Sequence, residues 1–158
     1  MDTCGGPIGP NGSSFFVDTW TNSRRYLWGG GPQFFLTHFH ADHIQGLHPE
    51  WRHGLLHCSR WTAQLLLWKF GSNSSLSRVV RMHELDEPFT VFDTVSKLTI
   101  YVTFIDANHC PGSVMIAFEG WPSGGVLHTG DFRWHEGLHQ DPTLLRLSLI
   151  HISEPTRL

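Results

Sequence analysis

Six of the twelve histidines fall between positions 38 and 57, and the densest stretch, His38-Phe39-His40-Ala41-Asp42-His43, places four residues of metal-ligand type within six. Neutral imidazole and carboxylate bind zinc at about 2.0 to 2.2 Å. On an extended segment His38, His40 and Asp42 project to one side, and a turn after Asp42 swings His43 round to join them. A catalytic zinc takes three protein ligands and a water, so this loop can begin two sites while completing neither. Two later segments offer further donors: His109 in Asp106-Ala107-Asn108-His109-Cys110-Pro111-Gly112-Ser113, and Asp131 in Thr129-Gly130-Asp131-Phe132-Arg133. Both follow segments that read as strands, and loops at strand ends are where layered α/β folds build sites. Cys110 adjoins His109 and is followed by Pro111, so a Cys–His nucleophilic pair is not expected. Arg133 suits either a phosphate contact or an exposed cation. His48, His53, His57, His83, His128, His135 and His139 read as ordinary polar or packing residues.

The elements that must position these residues are short. Phe15-Phe16-Val17 reads as a strand ending at Asp18, and Phe34-Phe35-Leu36-Thr37 as a buried strand running directly into the histidine cluster. Leu55-Leu56-His57-Cys58 is a third strand. Ser59 then caps a helix from Arg60 to Phe70, closed by Gly71. Trp61, Leu65 and Trp68, at i, i+4 and i+7, are expected to form its buried face. Residues 72–77 read as a polar loop. Beyond them the period shifts toward two: Phe89–Phe92, Leu98–Ile105, Val114–Phe118 and Val126–Thr129 read as strands. Strands with intervening helix indicate a layered α/β fold.

Composition bounds the answer. The 158 residues are about one domain's worth of chain. They are 40% hydrophobic and 13% aromatic but only 16% charged, against a typical value of about 25%, which excludes intrinsic disorder. No apolar run approaches the roughly 20 residues that span a bilayer, and the opening residues lack the pattern of a secretory signal, so a soluble intracellular protein with no membrane partner is expected. Three cysteines, Cys4, Cys58 and Cys110, do not make a disulfide framework. A formal net charge of -3 carries no basic footprint of nucleic-acid binding.

Taken together, Asp18 after an apolar strand, His38-x-His40-x-Asp42-His43, His109 within Asp-Ala-Asn-His-Cys-Pro-Gly-Ser, and Asp131 within Thr-Gly-Asp-Phe-Arg resemble the β-CASP branch of the metallo-β-lactamase fold that contains the DNA cross-link repair nucleases. The likeness runs from about residue 15 to 134. RNA-processing relatives have a different sequence around the third motif, so Asn108-His109-Cys110-Pro111-Gly112-Ser113 points to the DNA branch. The resemblance implies an αββα four-layer sandwich and two zinc ions. It implies that His38, His40 and His109 hold one metal, Asp42 and His43 the second, and Asp131 bridges them. Asp42 and Asp131 are then the catalytic carboxylates, and Asp18 orients a ligating imidazole. The implied activity is 5′-to-3′ exonucleolytic hydrolysis of DNA with a 5′-phosphate end, in cross-link or double-strand break repair or in telomere end processing, in the nucleus alongside repair or telomere proteins. An RNA endonuclease, a thioester hydrolase of the same fold and a non-catalytic scaffold are the competing readings.

Three segments are expected along the chain: a loose stretch over 1–14, a partial domain over 15–146, and a tail over 147–158. Family members continue beyond the fourth motif through a further strand and then the β-CASP region, neither of which is present here. The fold is therefore expected as its N-terminal half, inactive by itself. Residues 148–157 resemble the translation of a transposase adapter used to prepare sequencing libraries, so the tail is expected to be non-native and His151 is not counted as a ligand. The competing reading of Leu149-Ile150-His151-Ile152 is a native amphipathic strand.

Overall fold

The computed structural model describes residues 8, 9, 13–20 and 31–147, together with the backbone of 149–153. Among them, β1 (Phe15–Val17), β2 (Gln33–Phe35), β3 (Leu55–Ser59) and β4 (Val80–His83) form a parallel sheet in that order. A second sheet runs β5 (Phe89–Asp93), β6 (Leu98–Asp106), β7 (Val114–Glu119) and β8 (Gly125–His128) as an antiparallel meander, with β9 (Leu149–Ser153) parallel beside β8. The stretch expected to be a non-native tail thus supplies β9.

Strand alternation sorts the apolar side chains into three layers of core. Phe15, Val17 and Phe35 point inward with Ile100, Val102, Phe104, Val114, Ile116 and Phe118 of the facing sheet. Their neighbours Phe16, Phe34, Leu56 and Cys58 point outward and pack under Ala63, Leu66 and Leu76 of two helices, α1 (Arg60–Phe70) and α2 (Ser75–Val79). On the far face of the second sheet, Ile105, Met115, Ala117 and Leu127 meet Leu138 of a short 3-10 helix and Leu144 of α3 (Pro142–Arg146). The order is helix, sheet, sheet, helix. Each large apolar side chain taken from water into such a layer contributes about 1.5 to 3 kcal/mol.

Helix α1 has the expected ends, with the Ser59 hydroxyl accepting from the Thr62 N–H and Gly71 at the close. Its buried face differs from the expected one. Thr62, Ala63 and Leu66 are buried, whereas Trp61 and Trp68 are 63% and 83% exposed and Leu65 is exposed as well. Apolar residues occupy most of the helix circumference, so periodicity alone could not choose the face. Polar contacts chose it: the Ser59 and Thr62 hydroxyls both donate to the Gly112 carbonyl, at 2.6 and 3.1 Å. That grip turns small residues toward the sheet and the indoles away. The expected polar loop over 72–77 is also cut short, because the Ser74 hydroxyl accepts from the Ser77 N–H and starts α2.

Candidate metal centre

The proposed ligands stand at one end of the two facing sheets. Strands β1 and β2 run parallel and deliver Asp18 and residues 36–43 to that end. Strands β6 and β8 deliver the loop 107–113 and residues 129–131. The Val114 N–H ties the two layers by donating to the Thr37 carbonyl at 3.0 Å, and at the end of the second sheet the Arg133 N–H donates to the Ala107 carbonyl at 2.8 Å. Gly130, at φ +54°, lies so near Thr37 that a Cβ there would stand 3.1 Å from the threonine methyl.

The histidine loop departs from expectation in one respect. Its turn begins at Ala41, before Asp42, with the His43 and Ile44 N–H groups both donating to the His40 carbonyl. Asp42 therefore rides on the outside of the turn, its side chain 79% exposed, although its carboxylate stays 3.8 Å from His43 Nε2.

Three imidazole nitrogens converge: His40 Nδ1 lies 2.8 Å from His38 Nε2 and 3.2 Å from His109 Nε2. Nitrogens sharing one tetrahedral zinc stand roughly 3.3 Å apart. Neutral rings could satisfy these contacts only in part with protons, whereas one cation satisfies all three. Asp131 spans the neighbouring gap, with one oxygen 3.6 Å from His109 Nε2 and the other 3.9 Å from His43 Nε2. Those separations exceed hydrogen-bond length and suit donors arranged about a cation. The structure thus brings together His38, His40, His43, His109 and Asp131, with Asp42 at the rim.

Tautomers follow from the contacts behind the rings. Asp18 accepts from the Thr37 N–H at 2.9 Å, from the Thr37 hydroxyl at 2.6 Å and from His43 Nδ1 at 2.7 Å. With its hydroxyl proton committed to Asp18, the Thr37 oxygen accepts from His38 Nδ1 at 3.0 Å. Both rings are thereby protonated on Nδ1 and present a bare Nε2 to the site. Burial, reinforced by the neighbouring histidines His43, His40 and His109 against the opposing pull of Asp18, lowers the His38 pKa to about 4, so it is neutral at pH 7. Burial also disfavours charge on His43, but the Asp18 hydrogen bond and the charges of Asp18, Asp42 and Asp131 outweigh it and raise its pKa.

Sequence reading missed Thr37, whose hydroxyl relays Asp18 to His38; its place directly before the first histidine of the cluster was the available signal. It also missed the Ser113 hydroxyl, which accepts from the His109 and Cys110 N–H groups and curls their loop. His57 and His83, read as ordinary residues, form a polar chain away from the centre. His83 Nε2 donates to His57 Nδ1, whose Nε2 donates to Gln33, each at 2.9 Å.

No family model matches the chain. Mouse 5′ exonuclease Apollo is 40% identical over 135 residues, which is 85% of this chain and 24% of the relative. The DNA cross-link repair protein pso2/snm1 of Schizosaccharomyces pombe is 39% identical over 125 residues, 77% of this chain and 20% of that protein. The DNA cross-link repair protein SNM1 of Arabidopsis thaliana is 41% identical over 115 residues, 73% and 22%. The chain spans between a fifth and a quarter of the length of these curated relatives. Among solved structures, Zn(2+)-bound PqqB from Methylobacterium extorquens superposes with a TM-score of 0.52 at 13% identity, covering 84% of this chain and 54% of that one. A metallo-β-lactamase variant from Cronobacter sakazakii superposes at 0.51 and 12% identity, covering 89% and 68%. The structural matches carry the fold, which is that of the metallo-β-lactamases, and over most of its length the chain is similar in sequence to relatives named 5′ exonuclease Apollo and DNA cross-link repair proteins SNM1 and PSO2.

Proposed function

We propose that the whole protein is a zinc-dependent nuclease that hydrolyses DNA phosphodiester bonds from ends bearing a 5′-phosphate, in the nucleus, during cross-link or double-strand break repair or at telomere ends. The single observation that carries this reading is Asp131, with one carboxylate oxygen toward His109 and the other toward His43. On this reading His38, His40 and His109 hold one zinc ion, Asp42 and His43 the second, and Asp131 both. Zinc held by these residues would supply Lewis-acid polarisation of the scissile phosphate and a water of lowered pKa near neutral pH. The chain's own contribution is orientation. Asp18 and Thr37 hold the His38 and His43 rings with Nε2 bare. Asp131 supplies negative charge between the two donor sets, and Asp42, at the exposed rim, completes the outer one. The relatives' names support the substrate class, one being called a 5′ exonuclease and others DNA cross-link repair proteins.

The test is digestion of matched 5′-phosphorylated DNA and RNA single strands by the full-length protein, with and without a chelator. DNA should shorten from the 5′ end, and the chelator should stop it. Efficient cleavage of RNA with none of DNA would overturn the reading.

A further inference from the structure

Beside the metal centre lies an open groove of about 1050 Å³ that the proposed function leaves unused. It is lined by His109 of the centre, by Cys110 and Pro111 after it, by Trp61 of α1 and by Arg133. The Trp61 indole is 63% exposed there, and its root is fixed. A Cβ on Gly112 would stand 2.8 Å from the Trp61 Cβ, so the side chain rises directly from the backbone of the His109 loop. The clamp of the Ser59 and Thr62 hydroxyls on the Gly112 carbonyl, which turned the indole out of the core, also holds helix and loop in that register. A large flat ring is thus presented to solvent at a set place beside the proposed ligands. The charges of the groove indicate which part of a nucleic acid it takes. Arg60 is committed to Glu84 by an ion pair, and Glu87 and Asp106 stand in the lining as well, so the groove does not gather a run of phosphates as a basic channel does. A base carries no charge and has a π face, which an aromatic side chain accepts whatever the sequence. Arg133, tied through its N–H to Ala107 at the start of the same loop, is placed to meet a single phosphate.

We propose that Trp61 is a base-stacking residue: unpaired nucleotides next to the bond to be cut lie in this groove, one base flat on the indole and the backbone against Arg133. The inference rests on the nuclease reading above. Within a duplex both faces of a base are covered by its neighbours, and exposing one requires unstacking. Trp61 therefore selects single-stranded over double-stranded DNA. Because the indole stands on the loop that bears His109, stacking also sets the position of the strand relative to the metal centre.

The test uses 5′-phosphorylated single strands carrying the fluorescent base 2-aminopurine at successive positions from the 5′ end, bound by the full-length protein in chelator so that they stay intact. Stacking quenches this base, and quenching beyond that of the free strand should be confined to one or two adjacent positions. Trp61→Ala, with unchanged circular dichroism, should abolish the quenching and weaken single-strand binding by about 5- to 150-fold, the cost of one lost stacking platform, while duplex binding changes far less. Trp61→Phe should keep most of both signals. Trp68→Ala, on the same helix and 83% exposed but outside the groove, should match the unaltered protein. No quenching in an unaltered protein that binds and shortens DNA, quenching that survives in Trp61→Ala, or an equal loss of affinity in Trp68→Ala would overturn the proposal and leave the nuclease reading standing. An unaltered protein that neither binds DNA nor, with zinc supplied, shortens it would overturn both.

Discussion

Replacing Asp18 by Asn should empty half of the centre while leaving the fold in place. The carboxylate now accepts three hydrogen bonds, with one oxygen taken by the Thr37 N–H and the other shared by the Thr37 hydroxyl and His43 Nδ1. An asparagine can keep its carbonyl toward the Thr37 N–H, but its NH2 then faces His43. Nδ1 must become the acceptor, the proton moves to Nε2, and the lone pair aimed at Asp131 and Asp42 is lost. Flipping the amide restores His43 but sets donor against donor at the Thr37 N–H, an unmade buried bond costing about 1 to 3 kcal/mol. Either way metal affinity should fall by about 10- to 100-fold, the usual effect of losing a carboxylate behind a ligating histidine. Asparagine tolerates the left-handed backbone at this position, φ +49°, so the melting temperature of the metal-free protein should change little. The assay is competition for zinc against a chromophoric chelator, with circular dichroism as the fold control. Full zinc affinity in a folded Asp18→Asn protein would refute the tautomer argument.

In the complete protein, Asp131→Asn should lower phosphodiester cleavage by at least about 10²-fold, the effect of removing one electrostatic element, while His135→Ala, at an exposed position, leaves the rate near normal; equal rates for the two variants would contradict the shared-ligand role. Acid should destabilise the fold early. Burial, with smaller contributions from His83 and Arg81, holds buried His57 at about 3, and burial holds His83 at about 4. Both groups therefore take up protons first in the unfolded chain, and their stabilisation, complete above about pH 6.5, is lost as pH falls toward the folded values. At pH 5 His57 alone should cost on the order of 2 kcal/mol, read as a lower urea midpoint than at pH 7; the difference should shrink in His57→Phe, and an unchanged midpoint would count against the buried neutral pair. Gly112→Ala should destabilise by about 2 to 4 kcal/mol in thermal unfolding, since its φ is +83° and a Cβ would stand 2.8 Å from the Trp61 Cβ and 3.0 Å from the Thr62 nitrogen; a melting temperature like that of the unaltered chain would show that the clamp on the His109 loop yields.

How much of this was legible in the sequence depended on how local each signal was. The Ser59 cap and Gly71 close fall within or beside α1 itself, and β6 and β7 alternate inward and outward residues along their own length. The histidine cluster declares itself because four residues of ligand type within six have few structural uses. The buried face of α1 was not legible, since it is set by hydroxyl bonds from Ser59 and Thr62 to a carbonyl some fifty positions away, which leave no periodic trace. The start of the turn was misplaced for a related reason: the His40 carbonyl accepts both the His43 and Ile44 N–H groups, and alternation rules carry no information about which carbonyl closes a turn. The convergence of His109 and Asp131 on the cluster belongs to the facing of two sheets, and motif order could suggest that arrangement through family resemblance but not through spacing.

The most direct test of a two-metal centre shared by Asp131 is anomalous diffraction from crystals of the zinc-loaded protein, recorded on both sides of the zinc absorption edge. Two zinc peaks are expected, one among His38, His40 and His109, the other beside Asp42 and His43, with the Asp131 carboxylate between them. A single peak, or a pair of peaks that leaves Asp131 out of contact with either ion, would contradict the account.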